Sequence, residues 1–132
     1  MKFPNAGGYS QLMKQTEYST WTPVISASSG TVTSYSTTTA AYQKLGPFAR
    51  FYLDFTISNI GTAAGFIAAT LPSAAPPISD YTFVGREANV VGQMLHGITA
   101  FGTSIVIFRY DGAFVGGNNY RYLVSGFYKT NA

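Results

Sequence analysis

The chain contains no cysteine, and its 132 residues include one histidine and one tryptophan. Without cysteine it can form no disulfide, no thiolate nucleophile and no Cys-based metal site, and its redox compartment is left open. A single histidine, His96, leaves zinc without a usable donor set. Charge is equally scarce. Charged residues are 10% of the chain, against roughly 25% in an average soluble domain. No stretch approaches the ~20 apolar residues that a membrane helix needs. The start, "MKFPNAGGYS", has a lysine but no continuous apolar core, so it does not read as a signal peptide. No membrane partner is expected. GxGxxG and P-loop patterns are absent, so no nucleotide is implied and no cofactor is expected. No G-x-S-x-G elbow is present.

What is present is apolar and aromatic. Hydrophobic residues make up 46% of the chain, and twenty-one residues are Phe, Tyr or Trp. The net charge of +3 is spread over Lys2, Lys14, Lys44, Arg50, Arg86, Arg109, Arg121 and Lys129, no two of them adjacent. Nucleic-acid binding wants a basic patch or stripe, so no nucleic acid is expected as a partner. A chain with so few charges is poorly protected against association. Its surface is expected to be covered largely by partners, the first of them further copies of itself.

Two regions are expected: an N-terminal arm over residues 1–17 and a β-domain over 18–132. "NAGG" is a turn signal, and "YSQLMKQTEY" could form at most a short helix. Phe3, Tyr9, Leu12 and Met13 are too few and too scattered to build a core. They are expected to fill pockets on a partner protein, ordering as they bind. Trp21 marks the point where the arm becomes the first strand. It should alternate with Pro23 and Ile25 on one side and cap one end of the core.

From there strand signals follow one another. "WTPVISAS" is a short strand whose Pro23 suits an edge or a strand start. "GTVTSYSTTTAAYQKL" is β-branched, with a turn expected in its middle. "RFYLDFTIS" is the clearest stretch: Phe51, Leu53, Phe55 and Ile57 alternate with polar neighbours, the period-two pattern of a half-buried strand. "FIAATLP", "YTFVGRE", "VVGQMLHGITA", "TSIVIFRYDG" and "YRYLVSGFYKT" complete the set. Glycines in the "YTFVGRE" and "VVGQMLHGITA" strands are expected to mark bulges. About eight short strands and no helical period point to an all-β fold, a jelly-roll-like antiparallel β-sandwich with a short N-terminal arm.

Candidate chemistry is thin, and no enzyme is expected. His96 lies between apolar residues on a strand and reads as structural. Of the carboxylates, Asp54 falls on the polar face of its strand, and Asp80 and Asp111 fall in turns. Glu87 points away from Arg86. No glycosidase-like pair is forced; solvated or ion-paired acids are expected. "DGAFVGGNNY", residues 111–120, could be a ligand or contact loop, with Asn118 and Asn119 offering amides and Phe114 and Tyr120 offering stacking faces. The competing reading, which is favoured, is a hairpin loop whose glycines supply positive φ. Tyr120, Tyr122, Phe127 and Tyr128 on the last strand suit core and subunit-interface packing; a carbohydrate-stacking platform is the rival.

The order of these pieces carries a resemblance. "YSTWTPVISASSGTVTS", "YQKLGPFARFYLDFTIS", "GFIAATLP", "VGRE" and "YDGAFVGGNNYRYLVSGFY" resemble, over residues 18–128, a domain found in many tailed-phage and prophage virion proteins. Tyr42, Lys44 and Gly46 fit its "Y-x-K-x-G". Leu71 and Pro72 fit the strand ending in "LP". Tyr122, Ser125, Gly126 and Tyr128 fit its terminal "Y-x-x-S-G-x-Y". Ser19 departs, standing where a glycine is common. The resemblance implies a jelly-roll-like sandwich, usually trimeric, used for attachment or decoration on a virion. With so little before the domain, the expected role is a homotrimeric capsid decoration (cement) protein on the capsid surface. It would bind the major capsid protein or another virion protein. The alternative is a tail-fibre or tail-tip adhesin for a host glycan or surface protein.

Overall fold

A computed structural model describes residues 18–100 and 102–130. The arm, with Phe3, Tyr9, Leu12 and Met13, lies outside the described residues. The rest is all-β. In chain order the strands are β1 (Ser19–Thr20), β2 (Ile25–Ser29), β3 (Ser34–Leu45), β4 (Phe48–Asn59), β5 (Ala64–Thr70), β6 (Thr82–Glu87), β7 (Met94–Ala100), β8 (Ser104–Arg109) and β9 (Tyr120–Lys129). Every pairing is antiparallel, in the order β1-β3-β4-β9-β6-β7-β8-β5-β2. Three pairs nest: β6 with β7, β5 with β8, and β4 with β9. A long hairpin folded over itself in this way gives the winding of a jelly roll.

The nine-stranded order has a geometric consequence. Its two edge strands, β1 and β2, are consecutive in the chain. Laid flat, nine strands would hold their edges roughly 38 Å apart, at about 4.8 Å per strand. Residues 21–24 and their flanking bonds span roughly 18 Å at most. The sheet must therefore curl until its edges almost meet. Trp21 makes the junction. Its backbone N–H donates to Ala40 O on one side, and its indole N–H donates to Thr70 O at 2.8 Å on the other. The ring packs edge-on against Tyr42 at 6.1 Å. Pro23 and Ile25 are buried and Trp21 is half-buried against the core, so the three share one side as expected. The tryptophan lies in the link between β1 and β2, not within a strand, and this division of the segment is why nine strands appear among the described residues where about eight were expected.

Inside the curl, Phe51, Leu53, Phe55 and Ile57 are all buried, as the alternation required. Phe55 stacks on Tyr122, its partner on β9, at 4.6 Å between centroids. Phe83 sits opposite Gly97 and meets the ring of Phe51 edge-on at 5.8 Å. A Cβ on Gly97 would lie 1.9 Å from Val106 O and 2.5 Å from the Phe83 ring. The glycine thus makes room for an aromatic side chain and a neighbouring backbone. Neither Gly85 nor Gly97 forms the expected bulge, since the β6–β7 register runs without a shift. The register shifts fall instead between Ala27 and Ser29 of β2 and at two places in β3. The turn expected inside "GTVTSYSTTTAAYQKL" is likewise absent. Ser34–Leu45 is one strand whose irregularity between Thr37 and Thr39 is absorbed by the ladder with β4. The chain turns at Gly46 and Pro47, with Gly46 at φ +60°.

The phenols of two motif tyrosines finish the scaffold. Tyr122 donates to Val115 O at 2.6 Å and Tyr128 to Ala75 O at 2.7 Å, each pinning a loop to β9. Burial raises the pKa of both.

Candidate functional site

The loop at residues 111–120 turns inward. β8 and β9 are not neighbours in the sheet, so the segment is a crossover between separated strands and not a hairpin loop. Positive φ belongs to Gly112 (+82°) and Asn119 (+67°), not to Gly116 or Gly117. Those two glycines are required by proximity. A Cβ on Gly116 would meet the Phe114 ring at 2.3 Å, and one on Gly117 the Tyr120 ring at 2.5 Å. Phe114 and Tyr120 are half-buried and packed on the core. Asn118 Oδ1 accepts the N–H of Ile60 at 2.9 Å. Asn119 donates its N–H to Ile57 O at 2.7 Å, and its carbonyl accepts from Asn89 Nδ2. The structure brings the four residues together, with the rings and the Asn118 carboxamide committed to closing one end of the barrel-like core.

The acids divide sharply. Asp111 pairs with Arg109, whose side-chain hydrogen bond holds its carboxyl down at about 2. Asp80 is exposed. Asp54, expected on a polar face, is 3% exposed, because the Arg121 guanidinium covers it with two hydrogen bonds of 3.0 and 2.8 Å. Glu87 is fully buried, neither solvated nor ion-paired. Its two oxygens accept the backbone N–H groups of Asn89, Val90, Val91, Gly92 and Arg121 at 2.6–3.1 Å. Burial pushes the carboxyl up, but this cage outweighs it and holds the pKa at about 2. The reason lies in strand parity: Phe83 and Glu87 face inward while Val84 and Arg86 face out. The loop after β6 then wraps the carboxylate with its own backbone. Among the described residues no group of His, Asp or Glu could hold a metal ion.

What remains for function is the outer face of β4, β9, β6 and β7. Here the expectations for single residues change. His96 is exposed, its ring stacked on Phe108 at 5.9 Å, because Leu95 and Thr99 take the inward positions. Phe127, on β9, faces out while Tyr122 and Tyr128 face in. Val84, Met94 and Phe127 are 60%, 61% and 59% exposed, and Tyr52 and Ile98 are 41% and 38% exposed. The register interleaves them with polar side chains: Ser125 stands between Tyr52 and Val84, Val84 lies opposite His96, Met94 opposite Arg86, Ile98 opposite Thr82 and Phe127 opposite Arg50. Leu123, opposite both Asp54 and Arg86, continues the surface. Arg50 lies over the Phe127 ring at 5.8 Å, and no carboxylate among the described residues pairs with it or with Arg86. Sheet faces turned to water ordinarily carry polar side chains; this one mixes charged residues with exposed Tyr, Phe, Met and Arg, the residue types enriched at interface cores.

Of the last-strand aromatics expected to pack in the core or at a subunit interface, Tyr122 and Tyr128 lie in the core, Tyr120 packs half-buried against it and Phe127 is exposed. The exposure of Val84, Met94 and Ile98 is not read from the sequence, although each occupies an outward position in a strand recognised there. Comparisons with family models, with curated proteins and with solved structures return no match to the chain.

Proposed function

We propose that the chain is a non-enzymatic virion structural protein, a homotrimer that decorates an assembled capsid and binds the major capsid protein or another virion protein. The observation that carries the reading is the outer sheet face, with Tyr52, Val84, Met94, Ile98 and Phe127 exposed on adjacent strands. Stable interfaces bury about 800 Å² per partner. A face four strands wide has room for such a contact, and its exposed Tyr, Met and Phe are residue types enriched at interfaces. The all-β fold and the nested strand pairing agree with what the resemblance implies. The motif positions Gly46, Tyr122, Gly126 and Tyr128 serve the turn, the core and the loop anchors, so they support the fold and leave the location to experiment.

The mechanism is mass action. A protein that binds only the assembled shell stabilises it, by about 2.7 kcal/mol per site at a hundredfold excess over Kd. A reconstruction of the virion tests the reading. Density for three copies on the capsid surface is the expected result. Density confined to the tail would replace decoration with the adhesin role, and absence from the particle would overturn both.

A further inference from the structure

The junction at Trp21 also forms a cleft, remote in kind from the apolar sheet face. Trp21 and Thr22 form a wall shared by two adjoining hollows of about 460 and 440 Å³, each within the range of small-ligand sites. The first is completed by Thr70, Ser73, Thr103 and the rings of Pro72 and Pro76. The second is completed by Thr20, Pro23 and the threonines at 37–39. No charged side chain among the described residues lines either hollow. The indole is fixed from three directions, by its own N–H bond to Thr70 O, by its backbone bond to Ala40 O and by the edge contact with Tyr42. An immobilised aromatic ring surrounded by hydroxyls is a specific chemical environment. Each hydroxyl both donates and accepts. The ring offers an apolar face with negative quadrupole. A ligand matching both has polarised C–H groups on one face, a fringe of hydroxyls and no charge.

The geometry points to a binding site for a neutral saccharide, with a pyranose seated against Trp21 and its hydroxyls met by Thr22, Ser73 and Thr103. Among the described residues, an anionic sugar would find no cation there, and a nucleotide no phosphate donor cluster. This site is independent of the trimer and capsid reading, because it uses none of the residues of the outer sheet face.

Trp21 is the only tryptophan in the chain, so its emission reports this cleft alone. The full-length protein is titrated with glucose, galactose, N-acetylglucosamine, maltose and lactose while Trp emission is followed. It is also applied to an array carrying neutral and sialylated glycans. At least one neutral sugar should change the emission saturably. The double variant Thr22→Val/Thr103→Val removes two exposed hydroxyls and leaves the Trp21 hydrogen bonds in place. It should raise the apparent Kd about tenfold, the loss of two modest hydrogen bonds, with an unchanged melting temperature. Emission unaffected by every sugar together with a silent array overturns the site. So does binding that the double variant leaves unaltered, or an array signal restricted to sialylated glycans. None of these outcomes bears on the oligomeric state, which scattering measures separately.

Discussion

Replacing Glu87 by glutamine changes one atom of the side chain and removes the charge that five backbone N–H groups surround. The carboxyl titrates at 4.5 in a free chain and at about 2 here. At 1.36 kcal/mol per pKa unit, the ionised form contributes about 3 kcal/mol to folding. The glutamine amide keeps one acceptor oxygen and turns its NH2 toward donors, leaving buried N–H groups without partners. Glu87→Gln should therefore cost about 3 kcal/mol at pH 7, a large share of the stability of a domain this size. The pH dependence carries a definite sign. Because the folded-state pKa is depressed, the contribution is complete above pH 4.5 and is lost as pH falls toward 2. Urea unfolding at fixed protein concentration, followed by Trp21 emission and far-UV circular dichroism, measures both effects. The gap between wild type and Glu87→Gln should be widest at neutral pH and shrink steadily below pH 4.5. A gap under about 1 kcal/mol at pH 7, or one that stays constant down to pH 2.5, would refute the cage as a source of stability.

Other perturbations have equally specific outcomes. Phe55→Ala removes a fully buried ring stacked on Tyr122 and should cost about 3–5 kcal/mol in the same assay. Gly97→Ala drives a methyl group into Val106 O and the Phe83 ring; a loss of about 2–3 kcal/mol is expected, and a neutral result would mean that β7 and β8 can separate freely. Deleting residues 1–15 should leave the melting temperature nearly unchanged while abolishing attachment to the particle, which a virion co-sedimentation assay reads directly. Full occupancy by the truncated protein would place the anchor in the β-domain.

Much of the fold could be read from local pattern. The alternation of Phe51, Leu53, Phe55 and Ile57 sets the inward face of β4, and Pro23 stands just before the start of β2. Features that depend on distant pairing were not readable. Asp54 is buried by Arg121, sixty-seven residues away in sequence, and nothing near Asp54 announces it. Gly97 looked like a bulge because its actual reason, the Phe83 ring from the neighbouring strand, is supplied by register. The segment at 111–120 looked like a hairpin because consecutive strands usually pair; nested winding separates them here. Glu87 was the nearest miss. Its inward parity with Phe83 is visible in "YTFVGRE", but four of its five backbone donors come from a loop whose path only the folded chain defines, and the fifth, Arg121, from β9. The apolar face shows the same limit, since Val84, Met94, Ile98 and Phe127 become one surface only after three strands are aligned.

That surface carries the central claim, and multi-angle light scattering tests it most directly. The wild-type protein at micromolar concentration should scatter as three copies of the 14.2-kDa chain, about 43 kDa, and the double variant Val84→Asp/Phe127→Asp, altered only at exposed positions, should scatter as a folded monomer. A wild-type protein that is monomeric, or a double variant that remains trimeric, would contradict the assignment of this face as the subunit interface.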